Sequence, residues 1–191
     1  VEFDAVEMEM SGVRLAGGGE LPYTYDGARL RIDLGGGHRA GEELTTFTWG
    51  HFGVMPAVPR PGTYKNGALD WVGKEPPQVF QEVHEMEGSP LLIVNHPSGS
   101  TGFSSYFTAA DLDKATGTSS HERWDENFEA VEVFNDSDFE SNREDSVAHW
   151  FALLNAGQKK VAVGSSDSHH VRTSPVGYPR TCIELDTDLP E

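Results

Sequence analysis

From about residue 41 onward, short apolar runs of strand length alternate with segments of helical spacing, and each run ends in residues that can ligate a metal or move a proton. The run at 91–94 leads into Asn95-His96-Pro97 and the run at 130–134 into Asn135-Asp136. The run at 161–163 leads into Ser165-Ser166-Asp167-Ser168-His169-His170. Strands alternating with helices call for a largely parallel sheet, because parallel neighbours need a crossover connection between them. In such α/β folds the carboxyl ends of the strands are where the backbone is fixed and side chains converge. The reading is therefore an α/β domain whose chemistry lies at one end of its sheet.

The helices announce themselves by spacing and by their ends. One starts at Pro76-Pro77, carries Val79, Phe80, Val83 and Met86 on one face, and stops at Gly88. Another has a capping-box pattern, Ser141 with Glu144, ahead of Val147, Trp150, Phe151 and Leu154, and ends at Gly157. Residues 44–54 read as one strand with a bend. Residues 98–120, rich in Ser, Thr and Gly, read as a mobile loop or insertion. The first 35 residues read as strands: Val1-Glu2-Phe3-Asp4, Glu7-Met8-Glu9-Met10, Tyr23-Thr24-Tyr25 and Leu30-Arg31-Ile32-Asp33-Leu34, with an Asp26-Gly27 hairpin turn. Gly35-Gly36-Gly37 marks the junction. The division is a β segment at 1–40 and an α/β domain at 41–191.

Composition removes several classes of function. Fourteen Lys and Arg against 31 Asp and Glu give a formal net charge of −17, which disfavours nucleic acid as a partner. The single Cys182 excludes an internal disulfide and any multi-cysteine zinc site. No apolar run approaches the roughly 20 residues of a membrane span, and no signal peptide is expected. The chain is expected to be soluble, with its compartment open and the cytoplasm preferred.

Imidazole and carboxylate together form the ligand set of zinc, manganese or iron. The candidates are Glu43 and His51 on the earlier strand, His96, Asp167 and His169. Each has a plainer reading: a strand histidine packs more often than it ligates, and Asp167-Ser168-His169 can be a turn. The plainer readings would all have to hold at separate strand ends. His84 and His149 read as surface residues beside a helix, and Cys182 as packed in an apparent strand. Ser165, Ser166 and Ser168 lack the Gly-x-Ser-x-Gly elbow of a serine nucleophile. Tyr64, Trp71, Phe103 and Tyr106 are left between lining a pocket and packing loops.

Over residues 41–186 the chain resembles the PHP (polymerase and histidinol phosphatase) superfamily, specifically its CehA/McbA-like metallohydrolases. The resemblance rests on Glu43 with Thr45-Thr46, on Gly50-His51-Phe52, and on Val94-Asn95-His96-Pro97. It continues through Phe128-Glu129-Ala130-Val131-Glu132-Val133-Phe134-Asn135, Gly164-Ser165-Ser166-Asp167-Ser168-His169 and Gly177-Tyr178-Pro179-Arg180-Thr181. It implies a distorted β/α barrel with a metal centre at its carboxyl end, here incomplete and preceded by a short antiparallel β segment. It assigns Glu43 as a bridging carboxylate, His51 and His96 as ligands of one metal, Asp167 as a ligand of another, and His169 as a further ligand, with His121 and His170 left open. The family's opening His-x-His and Asp-His motifs are missing, so one or two Zn2+ or Mn2+ per chain are expected rather than three. Residues 1–40 weakly resemble the amino-terminal β-domain of M1 aminopeptidases.

The resemblance implies a metal-dependent, promiscuous phosphoester hydrolase in which metal-bound hydroxide attacks a small-molecule ester. Ten acidic residues against Arg123 and Arg143 at 121–145 favour a phosphotriester or aryl phosphodiester over a highly charged substrate. The alternatives are hydrolysis of an aryl carbamate or carboxylic ester, and an inactive binding or assembly domain. No nucleic acid or membrane partner is expected. A homodimer is expected to cover the open barrel edge.

Overall fold

The computed structural model describes residues 2–4, 20, 22–26, 29–32, 40–99, 105–136, 139–170, 172–173 and 176–182. The chain divides into two compact units: one of residues 1–38, 168–176 and 182–191, the other of 39–167 and 177–181. The first contains a three-stranded antiparallel sheet of β1 (Glu2–Asp4), β2 (Tyr23–Tyr25) and β3 (Arg29–Ile32), in the order β1-β3-β2. Tyr25 pairs with Leu30 across the turn expected at Asp26-Gly27. The strand expected at Glu7–Met10 lies outside the described residues, as do the glycine junction and Phe103.

The second unit is an α/β layer on a five-stranded mixed sheet: β4 (Ala40–Thr45), β5 (His51–Ala57), β6 (Leu91–Asn95), β7 (Ala130–Asn135) and β8 (Val161–Ser165), in chain order across the sheet. The β4-β5 and β5-β6 pairs are antiparallel, and the β6-β7 and β7-β8 pairs are parallel. Among the described residues β4 and β8 are not paired with each other, so the sheet is open. Residues 44–54 are thus two strands rather than one bent strand. The chain reverses at 46–50, where Thr46 Oγ1 donates to the Gly50 carbonyl at 2.6 Å and accepts from the Trp49 N–H at 3.0 Å. Gly50 closes the turn with φ +88, a conformation open to glycine without strain.

Helix α1 (Pro76–His84) begins as its prolines predict, with Glu75 and Gln78 closing a capping box. It lays Val79, Phe80 and Val83 on Leu44, Phe52, Val54, Leu92 and Val94 of the sheet. The segment at 98–120 is only partly a loop: helix α2 (Tyr106–Ala109) lies within it and buries Tyr106 and Phe107 completely. Tyr106 stacks on Trp124 at 5.2 Å and meets Phe52 and Phe80 edge-on. Its hydroxyl accepts from the Asp125 N–H at 2.7 Å and donates to the Asp125 carbonyl at 3.0 Å. Burial pushes the phenol pKa up. Apolar burial on this scale outweighs the loop-like composition around it.

The last helix runs from 139 to 155 as α3 (Phe139–Asn142), a π-helical stretch (Arg143–Val147) and α4 (Ala148–Asn155). Ser141 is therefore inside the helix and not its cap. Phe139 stacks on Phe134 at 5.2 Å, and Asn142 Nδ2 donates to the Asn135 carbonyl at 2.7 Å, which together draw the start back toward β7. Gly117, at φ +67, lies so close to Ala152 that a Cβ would stand 2.2 Å from its carbonyl oxygen. Only glycine fits there. At the outer edge of β8, Thr181 Oγ1 accepts from the Gly164 N–H at 2.9 Å and donates to the Gly164 carbonyl at 3.0 Å.

Two expectations fail on burial. His149 is buried at 5% exposure, since its ring satisfies backbone and hydroxyl groups beside α2. Cys182 is exposed, because residues 176–182 form no strand. No helix of the described residues is long and apolar enough to cross a membrane.

Candidate metal centre

Strand alternation sorts the residues near the β4-β5 turn. Leu44, Phe52, Val54 and Val94 face the helices, which turns Glu43, Thr45, His51, Gly53 and Asn95 to the opposite face of the sheet. Register brings them together: Thr45 pairs with His51, Glu43 with Gly53, and His51 with Asn95. His96 follows directly, at the carboxyl end of β6. Its backbone is left-handed, at φ +26.

The outcome is a compact trio. His51 Nδ1 lies 3.3 Å from Glu43 Oε1 and 3.0 Å from His96 Nε2. Glu43, His51 and His96 each offer a ligand atom within 4.8 Å of the other two. Asn95 Nδ2 donates to Glu43 Oε1 at 3.2 Å. A side chain at residue 53 would crowd that amide, because a Cβ there would lie 3.1 Å from Asn95 Oδ1. The hydrogen bond from His51 holds the Glu43 carboxyl down at about 2, with Asn95 and the two imidazoles assisting and partial burial opposing.

These separations suit a metal. Zinc bound to nitrogen and oxygen at about 2.0–2.1 Å places ligand atoms about 3.3 Å apart in a tetrahedron and about 2.9 Å apart at right angles. A single proton on His51 Nδ1 cannot serve both neighbours, so lone pairs crowd where a cation would accept them. Two histidines and one carboxylate are also the donor set of hydrolytic zinc sites that keep an open position.

Behind the trio lies a carboxylate in a buried strand. Glu132 Oε2 accepts from the His96 N–H at 2.5 Å and from Asn135 Nδ2 at 3.0 Å, and Oε1 accepts from the Ser165 hydroxyl. Burial pushes this carboxyl above the ordinary range, against the pull of the three donors. Glu132 and Asn95 stand within the sequence motifs but have no assigned role there. The available signal was an acid in the middle of an otherwise apolar run.

Of the five expected ligands, Glu43, His51 and His96 form the group. Asp167, half-buried with φ +41 beyond β8, is not a member. His169 is exposed and belongs to the other compact unit. His121 is packed edge-on to Trp49 at 5.4 Å. Trp71 packs against the exposed Phe47 at 5.1 Å, whereas Tyr106 belongs to the core. No family model, no curated protein and no solved structure matches the chain.

Proposed function

We propose that the chain is a metal-dependent phosphoester hydrolase related to the PHP superfamily, with Glu43, His51 and His96 holding a zinc or manganese ion. The observation that carries this reading is the convergence of three donor atoms, from three adjacent strand ends, at separations a metal requires. In this reading the open sheet is the surviving arc of an incomplete barrel. A bound ion there supplies Lewis acidity, lowering the pKa of a water ligand to about 7 and polarising an ester oxygen. His51 and His96 contribute neutral donors, and Glu43, ionised far below neutral pH, contributes the negative charge. Asn95 fixes the carboxylate so that its oxygen stays turned toward the imidazoles.

Charge selects among phosphoesters. A chain of net charge −17 repels a dianionic monoester more strongly than a neutral triester or a singly charged diester. The favoured substrates are aryl phosphotriesters and aryl phosphodiesters, whose phenolate leaving groups depart without a strong general acid.

Elemental analysis after growth with added zinc and manganese, beside a His96→Ala variant, tests the reading. About one equivalent of metal and turnover of an aryl phosphotriester, both lost in the variant, is the expected result. Metal retained by His96→Ala, or no metal in the unmodified protein, would sink it. Turnover of an aryl carbamate in place of the phosphotriester would reassign the substrate.

A further inference from the structure

Glu132 has only 2% of its surface exposed and sits among Ala130, Val131 and Val133, which are also buried. A carboxylate in such a place is strongly destabilising unless its oxygens are satisfied. Its three donors come from the ends of three neighbouring strands: the His96 N–H just after β6, Asn135 at the end of β7, and Ser165 at the end of β8. The His96 contact, at 2.5 Å, is made to a residue in the left-handed region. A non-glycine residue stays there only when its surroundings hold it.

We propose that Glu132 is the positioning residue of the metal centre. By gripping the His96 peptide it fixes the backbone from which the imidazole reaches His51 and Glu43. Through Ser165 it ties the end of β8 to the same point. A carboxylate can receive all of these donors at once, whereas an apolar residue of similar volume would leave the His96 N–H without its acceptor. The role is indirect, since no Glu132 oxygen is among the three converging ligand atoms. The inference rests on the metal reading of Glu43, His51 and His96.

The test titrates metal-free protein with Co2+, following the visible absorption band and the heat of binding, with melting curves recorded without metal. Unmodified protein, His96→Ala, Glu132→Gln, Glu132→Ala and Ser165→Ala are compared. Unmodified protein is expected to give a band that His96→Ala abolishes. Glu132→Gln, which keeps one acceptor oxygen, is expected to weaken Co2+ binding about tenfold and shift the band, and Glu132→Ala about a hundredfold. Ser165→Ala is expected to weaken binding about threefold while melting within a few degrees of the parent. Normal affinity and an unshifted band in folded Glu132 variants would overturn the positioning role and leave the metal site standing. If the Glu132 variants do not fold, Ser165→Ala decides: an unchanged band and affinity overturn the proposal. No band in unmodified protein would overturn the metal reading itself, and the inference with it.

Discussion

At His149 the ring nitrogens meet only uncharged oxygens, whereas at His51 and His96 they converge on each other and on a carboxylate. His149 Nε2 lies 3.1 Å from the Leu112 carbonyl, and Nδ1 lies 2.8 Å from Ser98 Oγ and 3.1 Å from the Asp145 carbonyl. One neutral tautomer serves Leu112 and Ser98, with Nε2–H donating to the Leu112 carbonyl and the serine hydroxyl donating to Nδ1. Burial lowers the pKa of this ring and keeps it uncharged, and Phe107 packs edge-on against it at 5.6 Å. The His51–His96 pair, 4.6 Å apart between ring centres, is half-buried and has lone pairs to spare. Residue type is the same in both places; what differs is that one ring is sealed among uncharged oxygens and the other, half-buried, meets a carboxylate and a second imidazole.

The comparison can be broken by substitution. His51→Ala or His96→Ala is expected to weaken Zn2+ or Mn2+ binding at least a hundredfold, while metal-free stability in urea changes by less than about 1 kcal/mol. A larger loss of stability with metal binding intact would make the pair structural, like His149. The converse variant, His149→Ala, is expected to cost about 2–4 kcal/mol of unfolding free energy, from the cavity and the abandoned Leu112 carbonyl. Its metal affinity should match the parent, and a loss of affinity at preserved stability would dissolve the distinction.

Acidity sharpens the same contrast. The folded-state pKa of His149 lies below its unfolded value of 6.5, so its contribution to stability is present above 6.5 and is lost as pH falls through the folded value. Urea unfolding between pH 7 and pH 5 should therefore lose less stability in His149→Gln than in the parent; equal slopes would contradict the buried neutral ring. Glu43 is depressed from 4.5 to about 2, so its contribution is present above 4.5 and lost as pH falls toward 2. Its side chain is 46% exposed, which reduces the effect to about 1 kcal/mol after solvent screening. Metal-free Glu43→Gln should show a shallower acid limb than the parent, and an unchanged limb would mean that the hydrogen bond from His51 contributes nothing.

Much of the sheet was legible because local pattern and final environment agree there. The apolar runs at 91–94, 130–134 and 161–163 became β6, β7 and β8, and Pro76-Pro77 opened α1 as its chemistry requires. The turn within 44–54 was not legible, because it depends on the Thr46 side chain closing onto Gly50. Nor was α2: Ser, Thr and Gly around it give a loop-like composition, while Tyr106 and Phe107 are drawn into the core by Phe52, Phe80 and Trp124. The pattern at Ser141 and Glu144 is a cap only if the helix starts there, and packing at Phe139 starts it earlier. Of the site, His96 could be suspected from its strand end, and Glu43 and His51 as ligand types on one neighbouring strand. Glu132 could not be tied to His96 or Ser165, because those two of its three donors lie 36 and 33 residues away in the chain.

Legible from the chain alone are the strands that became β6, β7 and β8, the opening of α1, the net negative charge, and the placing of metal-binding residue types beside strands. Those properties follow from periodicity, turn residues and charge, which act over a few neighbouring positions. That Glu43, His51 and His96 meet, while His149 is sealed among carbonyls and a serine hydroxyl, follows from the three-dimensional packing. That choice depends on the register of β4, β5 and β6 and on the packing of α2 against α4. Register is a relation between distant segments, and sliding any one strand by a single residue would turn its histidine or glutamate to the other face of the sheet.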